Sequence, residues 1–351
     1  MEYTHGGDIW SAADSYGGQL LDFSANLSPL GMPPAVRQAA ERAVAAAEHY
    51  PDPLCRALVA AIGKHDGVPP EQILCGNGAA DLIFRLVQAL RPKKALLTAP
   101  TFSEYAQALR IVDCQIAAHL LSAERGFDLG EDFLAELTED VDLCFLCNPN
   151  NPTGRAIPAA LLTQILDRCA AGGICLVVDE CFLALSDGAG PGLVGALERY
   201  PNLVLLRAFT KSYAIPGLRL GYCLTADLAL LERLALCGQP WSVSAPAQAA
   251  GLAALELCPE APGEARALIR RERAWLLEAL GGLGLRVIPG SANYLLFQAV
   301  GLLDLKEKLI KRGILIRSCA NYQGLSGDFY RVAVRPHGEN QALLAALEEV
   351  L

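Results

Sequence analysis

The chain reads as an α/β protein, with a large domain built on a mostly parallel, doubly wound sheet and a smaller C-terminal α/β domain. Three observations predict this. Between residues 73 and 209, short apolar runs alternate with helical spacing, the pattern of strands covered on both faces by crossover helices. Four of these runs end at residues able to do chemistry, at Gly76-Asn77-Gly78, Asn151, Asp179 and Lys211, and such sheets bind ligands beyond the carboxyl ends of their strands. After Trp241 the texture changes to two long Ala/Leu-rich helices, then short strands interleaved with helices.

Residues 1–34 are rich in Gly, Pro and Ser with little periodicity and read as an N-terminal arm. Helical spacing runs from 34 to 48. The turn His49-Tyr50-Pro51-Asp52-Pro53 follows, its φ fixed at two prolines, and a second helix extends to about residue 65. The strand ILCG ends at Gly76-Asn77-Gly78, and a helix starts at Ala79. KALLTAP is a strand, SEYAQALRIV a helix and QIAAHLL a strand. VDLCFLC is a strand stopped by Asn148-Pro149-Asn150-Asn151-Pro152-Thr153-Gly154. A helix over 158–170, the strand ICLVVDE, the short helix VGALERY and the strand LVLLRAF lead to Lys211. Helices are expected at 245–257, 261–280 and 302–312 and from Gly338, with strands in LRVIPGSANYLLF, ILIRSC and FYRVAVR. The division is an arm and helix at 1–48 packing with the small domain, a large domain at 49–240 and a small domain at 241–351.

Hydrophobic residues make up 52% of the 351, enough for a large core, and the net charge of −9 argues against nucleic-acid or anionic-membrane partners. The twelve cysteines form no short-spacing framework and many lie in apolar runs, as expected of buried free thiols in a reducing compartment, the cytoplasm. Cys144 and Cys147 are three apart on a strand and so face opposite sides, which argues against a metal site. Neither a signal peptide nor a membrane span is expected.

Lys211 follows Thr210 between two apolar runs, with Arg219 eight residues on. A buried lysine is costly unless paired or neutralised, and the usual exception is a lysine committed to a Schiff base. A surface loop would also accommodate it. Asp179 ends the apolar strand ICLVVD, either as a helix cap or as an anion held against a cationic ring nitrogen. Gly76-Asn77-Gly78 is a tight connection or a phosphate cradle of backbone N–H groups at a helix N-terminus.

In this order and spacing, N-P-x-N-P-T-G at 148–154, Asp179-Glu180, and Thr210-Lys211 with Arg219 resemble the fold-type I enzymes that use pyridoxal 5'-phosphate, over nearly the whole chain. The resemblance implies that Lys211 forms the Schiff base with the cofactor and that Asp179 pairs with the pyridine nitrogen. Asn151 would bond the phenolic oxygen, and Phe102 would stack on the ring. Thr210, Arg219 and the backbone N–H groups of Gly78 and Ala79 would hold the phosphate, completed by Tyr50 from a neighbour in a homodimer. Ala208 and Ala79-Ala80 stand where the family usually offers polar groups, which weakens the expected phosphate site.

Two branches of the family compete, histidinol-phosphate aminotransferase and threonine-phosphate decarboxylase. HGGD, DFSANLSPLGMP, GNG, FTKSYAIPGLRLGY, PWSVSA, ANYLLF, ILIRSCANYQGL and YRVAVR resemble the decarboxylase. Phe182 stands where the aminotransferases generally carry a tyrosine bonding the phenolic oxygen, which phenylalanine cannot do. The implied reaction is decarboxylation of threonine O-phosphate for the corrinoid nucleotide loop. Transamination of histidinol phosphate, or decarboxylation of serine phosphate to ethanolamine phosphate, remains open. Arg317 and Arg331 lie in apolar strands, where a guanidinium either binds an anionic substrate bidentately or pairs with a core carboxylate. The resemblance assigns Arg331 to the substrate carboxylate and Arg317 to its phosphate, helped by His5, Asn26 and Ser28 of the arm.

Overall fold

The computed structural model describes residues 6–18, 20–190 and 192–351. Its strands are β1 (Leu21–Asp22), β2 (Ile73–Gly76), β3 (Lys94–Ala99), β4 (Gln115–Leu120), β5 (Leu143–Cys147), β6 (Cys175–Asp179), β7 (Leu203–Ala208), β8 (Gly221–Leu224), β9 (Arg286–Ile288), β10 (Tyr294–Gln298), β11 (Ile314–Leu315), β12 (Arg317–Ser318) and β13 (Phe329–Ala333). Seven form the large sheet in the order β2-β8-β7-β6-β5-β3-β4. β3 to β7 run parallel to one another, and β8 is antiparallel to both β7 and β2.

The central strands are apolar up to their carboxyl ends, where Asp179 and Arg207 stand, because both faces are covered. Cys144, Leu146, Leu176, Val178 and Leu205 join one core with the helix Ala159–Gly172. Phe145, Cys147, Val177, Val204 and Leu206 join a second with the helix Ala79–Leu90. Cys144 and Cys147 thus point into different cores, as their spacing on a strand requires. Each fully buried large aliphatic or aromatic side chain contributes about 1.5–3 kcal/mol.

The direction of β8 matters for the site. The β7–β8 connection contains only the helix Phe209–Ser212 and the 3-10 turn Pro216–Leu218, too little for a crossover helix, so the chain returns antiparallel. Lys211 and Arg219 therefore belong to one connection beyond the carboxyl end of β7.

The C-terminal sheet is antiparallel, in the order β12-β13-β10-β9. Its apolar face packs with the helices Ala261–Gly282 and His337–Glu348 around Leu295, Phe297, Ile269 and Leu343. The N-terminal segment is stitched to it. β1 pairs with β11, the Phe23 N–H donates to Leu315 O at 2.8 Å, and the Ala333 N–H donates to Phe23 O at 2.8 Å. The helix Pro34–Val44 packs on Ala245–Leu257, so Val36, Leu58, Ala247 and Ala254 share one core. No helix among the described residues is long and apolar enough to cross a membrane.

Several elements differ from expectation: VGALERY forms only the 3-10 turn Val194–Ala196, and the arm carries strand β1. The arm contains the helix Ile9–Tyr16, begun by Asp8, whose Oδ1 accepts from the Ser11 N–H at 3.1 Å, and ended by Gly17 at φ 74°. Local caps supply what the weak periodicity does not. The helix Leu228–Leu236, capped by Asp227, follows β8 and was not expected. ILIRSC divides at Ile316, so its halves serve two sheets.

Candidate active site

Asp179 ends β6 and Lys211 follows β7, the next strand in the sheet. Burial pushes the Lys211 amine down to about 8, and the positive charges of Arg331 and Arg219 add to the shift. Its Nζ stands 5.9 Å from the ring centre of Phe182, which packs edge-on against Tyr294. The buried Asp179 carboxylate accepts from the Tyr105 hydroxyl at 2.7 Å and from the Cys181 N–H at 2.9 Å. It forms no ion pair among the described residues, so its charge is fixed in place without being neutralised. Burial, with the charge of Asp179, raises the Tyr105 phenol well above its ordinary pKa and keeps it a donor.

Tyr105 was not foreseen. It stands three residues after Phe102 at the start of the helix Ser103–Ile111, and the two rings meet edge-to-face at 5.6 Å. That one-turn spacing was the available signal.

Arg219 and Gly78 form the second part of the site. Gly78 precedes the helix Ala79–Leu90 at φ 81°. A Cβ there would lie 2.6 Å from Arg219 Nη2, so only glycine admits the guanidinium so close. Arg219 Nη1 also donates to Pro216 O at 3.1 Å. A guanidinium above the N-terminus of a 12-residue helix makes a site for an anion. Thr210 is buried beside Lys211. Tyr50 is 79% exposed and stacks on Trp241 at 4.4 Å.

The third part comes from the arm and the C-terminal sheet. Arg331 on β13 is directly opposite Arg317 on β12. Arg331 Nη1 donates to Asn151 Oδ1, and Nη2 donates to Ser24 O at 2.9 Å. With the Asn26 amide turned so that its oxygen faces Arg331, that oxygen accepts from Nε at 3.2 Å and Nη1 at 3.3 Å. Arg317 donates to Ser318 O at 2.7 Å and to Asn321 Oδ1 at 2.8 Å. Neither arginine forms an ion pair with a carboxylate among the described residues, which disfavours pairing with a core carboxylate. The Ser28 N–H donates to Lys211 O at 2.9 Å, tying the arm to the lysine segment, while its Oγ accepts from the Leu30 N–H at 3.4 Å. His5 lies outside the described residues.

Lys211, Asp179, Asn151, Gly78, Arg219, Arg331, Asn26 and Ser28 are thus linked by adjacent strands or direct contacts into one group, with Arg317 beside them. Of the other expected residues, Phe102 reaches this group through Tyr105, while Tyr50 stacks on Trp241 instead.

Residues 18–350 match the family model for aminotransferase class I and II. The chain is 43% identical over 353 residues to the threonine-phosphate decarboxylase of Salmonella typhimurium, covering 99% of this chain and 96% of that protein. Among solved structures, the histidinol-phosphate aminotransferase from Clostridium acetobutylicum matches with a TM-score of 0.87 at 28% identity, covering 94% of this chain and 99% of that one. The L-threonine-O-3-phosphate decarboxylase from Porphyromonas gingivalis matches with a TM-score of 0.83 at 25% identity, covering 93% and 98%.

Proposed function

Because the chain belongs to the class I and II aminotransferase family, we propose that it binds pyridoxal 5'-phosphate at Lys211 and decarboxylates L-threonine O-3-phosphate to aminopropanol phosphate for the cobalamin nucleotide loop, in the cytoplasm. One observation carries the substrate assignment. Arg317 and Arg331 stand opposite each other, and among the described residues neither is ion-paired with a carboxylate. Like charges in register are destabilising, and a substrate with two anionic groups relieves them. Threonine phosphate has a carboxylate and a phosphate.

The donors gathered around Lys211 fit the cofactor. Arg219, brought close to the backbone of Gly78 at the N-terminus of the helix Ala79–Leu90, would hold the cofactor phosphate together with that helix end. Ala79 N–H and Thr210 would complete this site, and Phe102 would cover the ring. When bound, pyridoxal phosphate supplies an electron sink for the bond broken at the substrate's α-carbon. Lys211, with a pKa of about 8, keeps more neutral amine near pH 7 than an ordinary lysine. Its Nζ can attack a carbonyl and later return a proton to the α-carbon. Asp179, held by Tyr105 and Cys181, presents a fixed anion that keeps a proton on a ring nitrogen. Arg331 and Tyr322 occupy Asn151 Oδ1, which leaves Nδ2 to donate to a phenolic oxygen. Phe182 offers no hydroxyl beside Lys211. In this reading residues 49–240 hold the cofactor, and residues 1–48 and 241–351 bring the substrate-binding groups.

Purified protein should release carbon dioxide from threonine phosphate without any keto-acid acceptor. Serine phosphate should react less well, since one methyl is worth about 1–3 kcal/mol. The likeness to the solved histidinol-phosphate aminotransferase favours a second reading, transamination. Sustained glutamate formation from histidinol phosphate and 2-oxoglutarate, with no carbon dioxide, would establish it instead.

A homodimer is part of this proposal, with exposed Tyr50 completing the neighbour's phosphate site. Tyr50→Phe should weaken cofactor binding by roughly 1.5–3 kcal/mol, one hydrogen bond to a charged group. Equilibrium dialysis of the cofactor measures it, and a fully active monomer in sedimentation would contradict it.

A further inference from the structure

Tyr322 lies on the connection from β12 to β13 and touches both Arg317 and Asn151. Its buried ring has the Arg317 guanidinium 5.4 Å from its centre. Its hydroxyl donates to Asn151 Oδ1 at 3.5 Å, the oxygen that also accepts from Arg331. Its backbone N–H donates to Cys319 O at 3.0 Å, which fixes the turn that carries it. Arg317 is otherwise held by two neutral oxygens, Ser318 O and Asn321 Oδ1. An aromatic face attracts a guanidinium through its quadrupole without neutralising it. A carboxylate in that place would consume the charge the substrate needs.

We infer that Tyr322 is a positioning residue joining the substrate's phosphate end to the cofactor pocket. Its ring holds Arg317 in place with the charge free. Its hydroxyl, with Arg331, fixes the Asn151 amide so that Nδ2 is left to donate. The inference rests on the function proposed above and assigns two separable tasks to one side chain.

Two substitutions separate them in the cofactor-loaded protein. Tyr322→Leu removes ring and hydroxyl. The ratio of kcat/KM for threonine phosphate to that for threonine should fall about fivefold or more, roughly 1 kcal/mol at 1.4 kcal/mol per decade. Tyr322→Phe keeps the ring, so that ratio should stay within about twofold of wild type. Losing the hydroxyl weakens the donation from Asn151, so the pH midpoint of the protein's visible absorbance band should rise by about 0.3 units or more. General loosening of the fold would lower both substrates together and leave the ratio unchanged.

An unchanged ratio in Tyr322→Leu, or an equal fall in Tyr322→Phe, overturns the ring's role. An unmoved midpoint in Tyr322→Phe overturns the hydroxyl's role, and this near-isosteric variant keeps the test open should the leucine variant not fold. If wild type itself shows no preference for threonine phosphate, the proposed function fails. If wild type shows the preference and Tyr322→Leu retains it, only the inference about Tyr322 fails.

Discussion

Lys211→Ala is expected to lower turnover by at least about a thousandfold, since it removes both a covalent attachment and a positioned proton carrier. The visible band that borohydride abolishes in wild type should be lost with it. Cofactor should still bind without a covalent bond, because Gly78, Arg219 and Asp179 are untouched. Wild-type turnover in Lys211→Ala would remove the central assignment. The cofactor-free protein offers an independent check. The amine sits at about 8 in the fold against 10.5 ordinarily. Between those values the unfolded chain binds more protons, so this group makes stability rise with pH across that window. The penalty from the buried charge is fully present below about pH 8. Denaturant titrations of cofactor-free protein at pH 8 and 10 should show this rise in wild type, and a smaller one in Lys211→Ala.

Arg331→Lys should damage turnover of every amino-acid substrate, phosphorylated or not, and Arg317→Ala should chiefly erase the preference for the phosphorylated one. Arg331 is the more committed of the two. It donates to Asn151 and to Ser24 O and faces the Tyr294 ring at 5.3 Å. A lysine there cannot reproduce the planar fork that serves Asn151, Ser24 and a carboxylate together. Arg317 stands one strand away and, among the described residues, bonds only to Ser318 O and Asn321 Oδ1. Truncating a buried charged partner costs roughly 2–5 kcal/mol, so the preference should fall at least tenfold at about 1.4 kcal/mol per decade. The measurement is the ratio of kcat/KM for threonine phosphate to that for threonine in each variant. An unchanged ratio in Arg317→Ala, with a collapsed ratio in Arg331→Lys, would mean that the substrate's two ends are reversed.

The sequence by itself determined the alternation of strands and helices from Ile73 to Ala208 and the positions of Asp179, Asn151 and Lys211 at strand ends. Those features are local. An apolar run of strand length must be covered on both faces, and the chemistry of a parallel sheet gathers where such runs end. The helix Ile9–Tyr16 escaped because its caps, rather than its periodicity, define it. Only the tertiary structure decided that Tyr105 holds Asp179, that Arg219 lies over Gly78, and that Asn151 meets Arg331 across 180 residues. It also decided that Arg317 faces Arg331, since ILIRSC splits at Ile316 and the register of β12 on β13 depends on the whole small sheet. Periodicity states which face of a strand is apolar. It does not state which distant residue stands opposite, because that is settled by packing and hydrogen bonds that form only once the sheet is assembled.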